Sequence, residues 1–401
     1  FLLSLTLFTA MSHSTNRSIN RRRWLQQAGA ALTGVALGTT ASFSRPAGAT
    51  PAAAPAASFH PRQVQGRVPP QGAVLLDSNE NPHGPSPKAR DVAMDAFNDA
   101  FRYPGDAYRT LVQAIAEREQ VPPDHVLIGN GSTDVLCMAG AAYGLHGGEI
   151  VTGDPSYKGV SAYAEAVGGY VNPVPLTDDL TLDLEAMDRR TTASTSLVFV
   201  CNPNNPTGTI VDPADLQAFC ETVSRRAVVF LDEAYIDFVD AAQRIAAVDL
   251  VRAGENVIVS RTFSKLFGMA GLRVGYGIAR PDIVERLRGY SMGFPNTVGL
   301  RAAAASLDDD AFQKKSRRAI ADARQYTTET LDEMGLEYAE SHASFLFFRT
   351  GRDIQTVQRE MAAQGVEVGR PFPPYTEWCR VSMGTMADME AFASALQTVF
   401  A

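Results

Sequence analysis

Four short polar segments of this chain carry the residue types that could perform chemistry, and each lies at a predicted buried strand. They are residues 129–134, 201–208, 230–235 and 260–273. In an open α/β sheet, ligands bind outside the carboxyl ends of the strands, where such segments come together. The positions of the four segments therefore predict one site at that edge of a sheet.

Lys265 is the candidate nucleophile of this site. It follows a run of β-branched residues and has hydroxyl-bearing neighbours. Partial burial lowers the proton affinity of a lysine amine and makes it nucleophilic. Of the other lysines, Lys314 and Lys315 belong to a charged helix, and Lys88 and Lys158 to polar segments. Alone, Lys265 would be interpreted as a surface lysine in a loop; the other three segments favour the nucleophile.

Asp232 follows the predicted strand 227–231 and needs a cationic partner, because burying an unpaired carboxylate is costly. A metal, an arginine or a protonated ring nitrogen would each serve. The six histidines and four cysteines form no pair with metal-ligand spacing, so we expect no metal site. An aspartate that caps a helix is the plainer alternative for this segment alone.

The remaining two segments offer an anion cradle and a rigid turn. Residues 129–133 (Gly-Asn-Gly-Ser-Thr) join a strand to a helix, where flexible glycines and free N–H groups can bind an anion. A capped turn is the alternative there. Residues 202–206 (Asn-Pro-Asn-Asn-Pro) predict a stiff turn that presents amide side chains at a strand end.

Short apolar strands that alternate with helices must position these segments. Strands are predicted at 126–128, 197–200, 227–231, 256–260 and 272–278, and covering helices at 213–225, 281–288 and 310–334. The C-terminal part has a different pattern of predicted elements, with strands 345–348 and 379–382 and helices 354–364 and 386–400. The predicted fold class is α/β, with a mostly parallel sheet flanked by helices and a smaller α+β domain.

Charge separates the N-terminal segment from the body of the chain. The 401 residues have a formal net charge of −8, yet residues 1–49 hold five arginines and no acid. The rest holds 31 basic and 44 acidic side chains, a charge of −13. A body this acidic lacks the basic face that nucleic acid requires, so we expect no nucleic-acid partner.

Residues 1–49 predict an export signal. A basic region at 20–26 precedes a short apolar stretch at 28–38, and Ala47-Gly48-Ala49 resembles a cleavage site. The pair Arg21-Arg22 resembles the twin-arginine pattern, which implies a periplasmic or exported protein that is cleaved near Ala49.

The apolar stretch is too short for a stable membrane span. Met11 is interpreted as the true start, and residues 50–73 as a flexible linker rich in alanine and proline. A disordered basic tail is the alternative to the signal.

In their order along the chain, the four segments resemble those of fold-type-I pyridoxal-phosphate aminotransferases, and most closely the histidinol-phosphate aminotransferase subfamily. Further signatures of that subfamily are similar to residues 77–87, 102–104, 365–371 and 379–385. The resemblance covers residues 74–400. It implies an N-terminal arm (74–100), a large cofactor-binding domain (101–295), a small C-terminal domain (296–401) and a homodimer with shared active sites.

The resemblance also assigns roles to individual residues. Lys265 would bind the cofactor aldehyde covalently and carry protons, and Asp232 would hold the ring nitrogen protonated. Asn205 and Tyr235 would bind the ring oxygen, and Tyr157 would stack on the ring. The cofactor phosphate would be bound by Ser132, Thr133, Thr262, Ser264 and Arg273, with Tyr103 from the neighbouring subunit. The anionic group of the substrate would be bound by Arg380, with help from Arg370.

The implied reaction moves an amino group between an amino acid or amino-alcohol phosphate and a 2-oxo acid. Two alternatives stay open: a decarboxylase of the same fold and a catalytically silent pyridoxal-phosphate-binding protein. His83, the inserted Gly369 and the segment 290–295 depart from the subfamily pattern. Together with the export signal, they lead us to expect a free amino acid, rather than histidinol phosphate, as the physiological donor.

Overall fold

The strands and helices below are those of residues 72–401, which the computed structural model describes; the predicted signal and most of the predicted linker lie outside these residues. The strands are β1 (Val74–Leu76), β2 (Val126–Gly129), β3 (Glu149–Asp154), β4 (Tyr170–Pro175), β5 (Thr195–Cys201), β6 (Val228–Asp232), β7 (Val257–Thr262), β8 (Gly275–Ile278), β9 (Phe345–Arg349), β10 (Val366–Val368) and β11 (Trp378–Ser382).

The α-helices of the same residues surround these strands. They are α1 (Pro87–Ala96), α2 (Gly105–Glu119), α3 (Ser132–Gly144), α4 (Gly159–Ala166), α5 (Leu184–Arg190), α6 (Pro213–Val223), α7 (Ala247–Arg252), α8 (Pro281–Arg288), α9 (Thr297–Leu307), α10 (Asp310–Glu333), α11 (Ile354–Ala363) and α12 (Met386–Phe400).

A seven-stranded sheet forms the centre of the large part of the fold. Its strand order is β2-β8-β7-β6-β5-β3-β4. The strands from β7 to β4 run parallel, and β8 pairs antiparallel with both β2 and β7. Strands of parallel sheets are apolar along their whole length because helices cover both faces. The observed sheet confirms the predicted α/β class.

The core lies on both faces of this sheet. In β6, Val229 and Leu231 belong to one apolar cluster, and Phe230 belongs to the cluster on the opposite face. This alternation follows from the two-residue repeat of a strand. Because both faces are dry, a polar side chain at the strand end must find its partner at the edge of the sheet.

The C-terminal part packs around two smaller sheets. β9 and β11 pair antiparallel, and β1 of the N-terminal arm pairs in parallel with β10. A third apolar cluster joins them to α10, α11 and α12. α9 packs instead in the core of the large sheet, since Leu300 and Ala303 are buried there. The domain boundary predicted at residue 296, just before this helix, stays a prediction.

One predicted strand begins too early, and four strands (β1, β3, β4 and β10) were not predicted. The strand expected over 272–278 begins only at Gly275, because Ala270–Leu272 form a 3-10 turn and Arg273 has a left-handed backbone with φ of 53°. β3 and β4 at the edge of the sheet had no counterpart among the predicted strands. Among residues 72–401, no helix has the length and the hydropathy to span a bilayer.

Candidate active site

The carboxyl ends of β5, β6 and β7 bring three of the predicted segments side by side. Asp232 is in register with Cys201 on one neighbouring strand and with Ser260 on the other. The Asn202 N–H donates to the Asp232 carbonyl (3.1 Å), and the Glu233 N–H donates to the Ser260 carbonyl (2.9 Å). The backbone ladder thus continues past the strand ends and fixes the side chains that follow.

The Asp232 carboxylate is buried at this edge, and no cation among residues 72–401 forms a hydrogen bond with it. The residue is 2% exposed, and its Oδ1 has no hydrogen-bond partner within residues 72–401. Burial raises the pKa of Asp232 to about 7, although the Ala234 N–H and the Lys265 amine counteract this rise. Buried polar atoms nearly always have partners, so this oxygen points to a ligand. A protonated ring nitrogen would satisfy it.

The Lys265 amine reaches the same pocket from the loop after β7. Its Nζ donates to the Asn79 carbonyl oxygen (2.9 Å) and lies 5.5 Å from the centre of the Tyr235 ring. Burial, reinforced by the positive charge of Arg380, lowers the pKa of Lys265 to about 8. An amine with such a pKa can act both as a nucleophile and as a proton carrier near neutral pH.

The Tyr235 phenol is buried between the N-terminal arm and β9. Asn79 Nδ2 donates to the phenol oxygen (3.0 Å), and the ring packs edge-on against Phe345. Burial raises the pKa of Tyr235 above its ordinary value, so the phenol keeps its proton. Its O–H therefore remains a donor for a ligand.

The first turn of α3 forms the predicted anion cradle. Gly131 precedes the helix with φ of 79°, and no side chain caps this end, so the first N–H groups are available. Arg273 lies beside them and donates to the Asn130 carbonyl (3.3 Å). A Cβ at Gly131 would collide with that guanidinium, and a Cβ at Gly275 would collide with the Ser132 nitrogen. The two glycines let a cation and β8 approach the helix start.

The other hydroxyl-bearing residues form two pairs around the cradle. The Thr133 Oγ1 and the Tyr157 hydroxyl are 3.5 Å apart, which places the tyrosine beside the start of α3. Thr262 is the last residue of β7, and its Oγ1 lies 2.9 Å from Ser264 Oγ and accepts from the Ser264 N–H (3.1 Å). The groups predicted to bind a phosphate thus lie on two different elements.

Two arginines lie over one aromatic ring at the C-terminal side of the pocket. Arg380 is buried and donates to Asn205 Oδ1 (2.8 Å) and to the Asp77 carbonyl (2.6 Å). Its Cζ lies 5.0 Å from the centre of the Phe372 ring, and the Cζ of Arg370 lies 4.2 Å from it. Within residues 72–401, neither guanidinium pairs with a carboxylate; their acceptors are the Pro371 and Asp77 carbonyls and the Asn205 amide. Burial lowers the pKa of Arg380 to about 10, and the charge of Arg370 adds to this effect.

Three of the predicted site residues are exposed rather than buried in the pocket. Tyr103 is 92% exposed, Arg273 is exposed beside Asn130, and Arg370 is exposed beside Phe372. The roles predicted for all the site residues stay predictions. The predicted site residues with contacts or charge effects in the pocket are Lys265, Asp232, Tyr235, Asn205, Arg380, Tyr157, Ser132, Thr133, Thr262, Ser264 and Arg273.

Sequence reasoning missed Asn79 and Ser382. The Asn79 N–H donates to Ser382 Oγ (2.7 Å), and Ser382 Oγ donates in turn to Asn79 Oδ1 (2.9 Å). Both side chains are buried, and 303 residues separate them along the chain. The arm around Asn79 carried a recognisable pattern, but the pattern did not single out this residue.

Comparison with known proteins identifies the family of this chain. A sequence profile of the family "Aminotransferase class I and II" matches residues 71–396. The histidinol-phosphate aminotransferase of Moorella thermoacetica is 40% identical over 343 residues, which cover 84% of this chain and 88% of the relative. Histidinol-phosphate aminotransferase 1 of Cupriavidus pinatubonensis is 37% identical over 332 residues, with 81% and 88% covered.

A solved structure shares the fold. The crystal structure of histidinol-phosphate aminotransferase from Sinorhizobium meliloti in complex with pyridoxal-5'-phosphate has a TM-score of 0.76 and 27% sequence identity, and the match covers 84% of this chain and 92% of that chain. Since the family profile spans most of the chain and both curated relatives exceed 30% identity, the chain belongs to the aminotransferase class I and II family and is a pyridoxal-phosphate-dependent aminotransferase.

Proposed function

We propose that the pocket at the ends of β5, β6 and β7 is the transamination site, with Lys265 as its catalytic amine. The residues present fit pyridoxal phosphate. The orphaned Asp232 oxygen suits a protonated pyridine nitrogen, and the uncapped start of α3 with Arg273 suits the phosphate. Asn205, Tyr235 and Tyr157 would hold the ring, and Ser132, Thr133, Thr262 and Ser264 would complete the phosphate site.

Bound pyridoxal phosphate supplies an aldehyde that condenses with amines and a ring that withdraws electrons from the donor's Cα. The side chains of this chain do the remaining work. The Asp232 carboxylate would face the ring nitrogen and keep it protonated, and the Tyr235 O–H would donate a hydrogen bond to the ring oxygen. Lys265 Nζ takes the proton from the donor's Cα, for which a pKa of about 8 is suitable. Burial of these groups keeps water away from them.

The proposed amino donor is an amino-alcohol phosphate of the histidinol phosphate type. The observation that carries this proposal is the pair Arg370 and Arg380, both over the Phe372 ring and without a carboxylate partner in the described part of the chain. Two neighbouring cations match the dianionic charge of a phosphate better than the single charge of a carboxylate. The names of the curated relatives agree with this donor. This donor differs from the one expected from the sequence, where the departures from the subfamily pattern and the export signal favoured a free amino acid.

Three donors that share one side chain test the proposal. Histidinol phosphate, histidinol and histidine are compared with 2-oxoglutarate as acceptor, and kcat/KM is measured for each. A buried arginine–phosphate pair is worth about 2–5 kcal/mol, so we expect histidinol phosphate to exceed histidinol by roughly two orders of magnitude or more. A higher kcat/KM for histidine would reverse the assignment in favour of a free amino acid.

Substitution of the exposed arginine sharpens this test. Arg370→Ala should lower kcat/KM for histidinol phosphate by roughly tenfold or more and leave that for histidinol nearly unchanged. Arg318→Ala is the matched control, because Arg318 is an exposed arginine paired with Asp322 on α10. Release of CO₂ from histidine without a need for a 2-oxo acid would indicate the decarboxylase alternative instead.

The proposed active form is a homodimer. Several large apolar side chains are exposed in the single chain, which is typical of an interface rather than of a free surface. Arg301 on α9 donates a hydrogen bond to the Asp99 carboxylate (2.7 Å). This bond connects α9, and the segment before it, with the segment after α1. Tyr103 lies next to the second segment and would serve the partner's cofactor. The exposed apolar residues of α1 and of the segments after α1 and before α9 are Met94, Phe97, Phe101, Met292 and Phe294.

Export by the twin-arginine route is the last part of the proposal. It rests on the sequence of residues 1–49, which lie outside the described residues. This route carries folded proteins, and a chain that must acquire a cofactor before it works would suit it. The proposed location is therefore the periplasm or the exterior of a bacterial cell.

A further inference from the structure

Asn79 forms hydrogen bonds with its backbone N–H, its backbone carbonyl and both ends of its side-chain amide. Its N–H donates to Ser382 Oγ, and its Oδ1 accepts from the same hydroxyl. Its Nδ2 donates to the Tyr235 hydroxyl, and its carbonyl oxygen accepts from Lys265 Nζ. One residue of the N-terminal arm therefore joins the elements that carry the phenol, the amine and β11.

The backbone of Asn79 is held in a conformation that few residue types adopt. Its φ is 52°, in the left-handed region, and the residue is 1% exposed. Asparagine and glycine tolerate this region best among the amino acids. Glycine would keep the backbone geometry but would lose both side-chain hydrogen bonds. Of these two residue types, only asparagine can both adopt this backbone conformation and donate a hydrogen bond to the phenol.

The bond to Tyr235 has a directional consequence. Because the phenol oxygen accepts from Asn79 Nδ2 (3.0 Å), its own O–H proton is directed to a different partner. No other hydrogen-bond partner of that hydroxyl occurs in the described part of the chain. A hydroxyl that accepts a hydrogen bond also donates more strongly, because hydrogen bonds in a chain polarise one another.

The bond from Lys265 has a second consequence. The Asn79 carbonyl is a fixed acceptor 2.9 Å from the amine, so it defines where the amine lies when it is not attached to the cofactor. The residue that carries this oxygen is fixed in turn by two bonds to Ser382, one from the Asn79 backbone N–H and one to its side-chain Oδ1. The position of the Lys265 amine and the direction of the Tyr235 phenol proton thus both depend on Asn79.

From these contacts we infer that Asn79 is a positioning residue of the transamination site: it directs the Tyr235 O–H toward the cofactor ring oxygen and holds the free Lys265 amine in place. The inference rests on the proposed roles of Lys265 and Tyr235. It adds a residue that touches neither the cofactor phosphate cradle nor the two arginines proposed for the substrate.

The test measures the pH at which the visible absorbance of bound pyridoxal phosphate changes. This midpoint reports the proton on the nitrogen that joins Lys265 to the cofactor, and a strong hydrogen bond from Tyr235 lowers it. Asn79→Gly keeps the backbone but removes the donor to the phenol, so we expect the midpoint to rise by about half a unit to one pH unit. Asn79→Asp places a carboxylate oxygen against the phenol and should raise the midpoint further.

Kinetics give an independent readout. Both variants should lower kcat by roughly threefold to thirtyfold and leave KM for the donor within about twofold, because Asn79 acts through Lys265 and Tyr235. Ser86→Ala is the matched control in the same arm. Ser86 is buried and caps α1 through its bond to the Ala89 N–H, so its loss should lower Tm without moving the midpoint.

The charged and titratable groups that face Lys265 and Tyr235 stay unchanged in all these variants, so they do not account for a shift. These groups are Asp232, Arg380, Glu80, Arg273 and Cys201. An unchanged midpoint in both Asn79 variants, together with a lower Tm, would overturn the inference about Asn79 and leave the proposed site unaffected. Borohydride labelling of the wild-type protein at a lysine other than Lys265 would overturn the proposed site and this inference with it.

Discussion

Asp232 and Lys265 lie in one buried pocket, and burial moves their pKa values toward each other. The pKa of Asp232 rises to about 7 and that of Lys265 falls to about 8, in both cases mainly because the charged form loses contact with water. Without its cofactor, the folded protein therefore carries two groups whose charges are destabilising near neutral pH. The function requires both groups in this place, and stability without cofactor is lower as a result.

Asp232→Asn should stabilise the cofactor-free protein at alkaline pH. The folded pKa of this carboxyl lies above its unfolded value, so its destabilising effect is complete above pH 7 and decreases as the pH falls from 7 toward 4. The gain in free energy of unfolding at pH 8.5 should be at most about 4 kcal/mol, and smaller at pH 5.5. Denaturant unfolding of the cofactor-free protein at the two pH values measures it.

The same substitution should weaken cofactor binding and abolish most activity, because an amide does not hold the ring nitrogen protonated. Asp215→Asn, which changes an exposed carboxylate on α6, is the control and should alter neither property. Equal stabilisation at pH 5.5 and pH 8.5 would show that the Asp232 carboxyl does not titrate between these values.

Among the elements, the junction of α3 and β8 decides how the anion cradle is built. β8 begins at Gly275, two residues after the left-handed Arg273, and its first residue approaches the Ser132 nitrogen closely. A helix N-terminus binds an anion only when its N–H groups are free and a ligand can reach them. The absence of a side chain at Gly275 is therefore a condition for the cradle.

Gly275→Ala should raise the Kd for pyridoxal phosphate by at least tenfold. The new Cβ would collide with the backbone nitrogen of Ser132, and a backbone atom cannot move aside without shifting the start of α3. Equilibrium dialysis or quenching of protein fluorescence gives the Kd. Gly271→Ala is the control, because the space around that Cβ is open and it should bind the cofactor like the wild-type protein.

For the whole molecule, the central question is whether one chain makes a complete active site. Tyr103 is exposed close in sequence to Phe97 and Phe101, and within residues 72–401 its side chain forms no hydrogen bond with the pocket of its own chain. If it serves the cofactor of a second chain, each active site takes residues from two subunits. Dimerisation would then be a requirement of catalysis as well as a way to cover apolar surface.

Mixed dimers test this arrangement. Lys265→Ala and Tyr103→Ala should each have little activity alone, but a mixed dimer should contain one site with both native residues. Equal amounts of the two variants after subunit exchange should therefore recover up to about one quarter of wild-type activity, on random assortment of the subunits. Activity that stays at the level of the separate variants, or an active monomer in sedimentation, would contradict a shared site.

Export is the second prediction for the whole molecule. Replacement of Arg21 and Arg22 by lysine should leave a folded, uncleaved precursor inside the cell, because the paired arginines are the feature that the twin-arginine route reads. Cell fractionation and the mass of the protein measure the outcome. Replacement of Arg17 and Arg45 by lysine is the matched control, and secretion equal in both variants would count against this route.

Residue types and local spacing determined much of this protein. A lysine among hydroxyl groups, an acid at the end of an apolar run and a glycine-rich strand-to-helix turn each have a chemistry that can be read locally. The apolar runs of β5, β6 and β7 predicted a buried parallel sheet, because strands covered on both faces carry no polar alternation. The fold class and the chemistry expected of Lys265 and Asp232 therefore followed from the sequence.

Only the tertiary structure decided which distant groups meet. Arg380 reaches Asn205 across 175 residues, and Ser382 reaches Asn79 across 303. No local pattern encodes such pairs, because they depend on how the N-terminal arm, the large sheet and the C-terminal strands pack together. The left-handed backbone of Asn79 could not be predicted from the sequence for the same reason. The arm pattern is compatible with several backbone conformations, and three tertiary partners select this one.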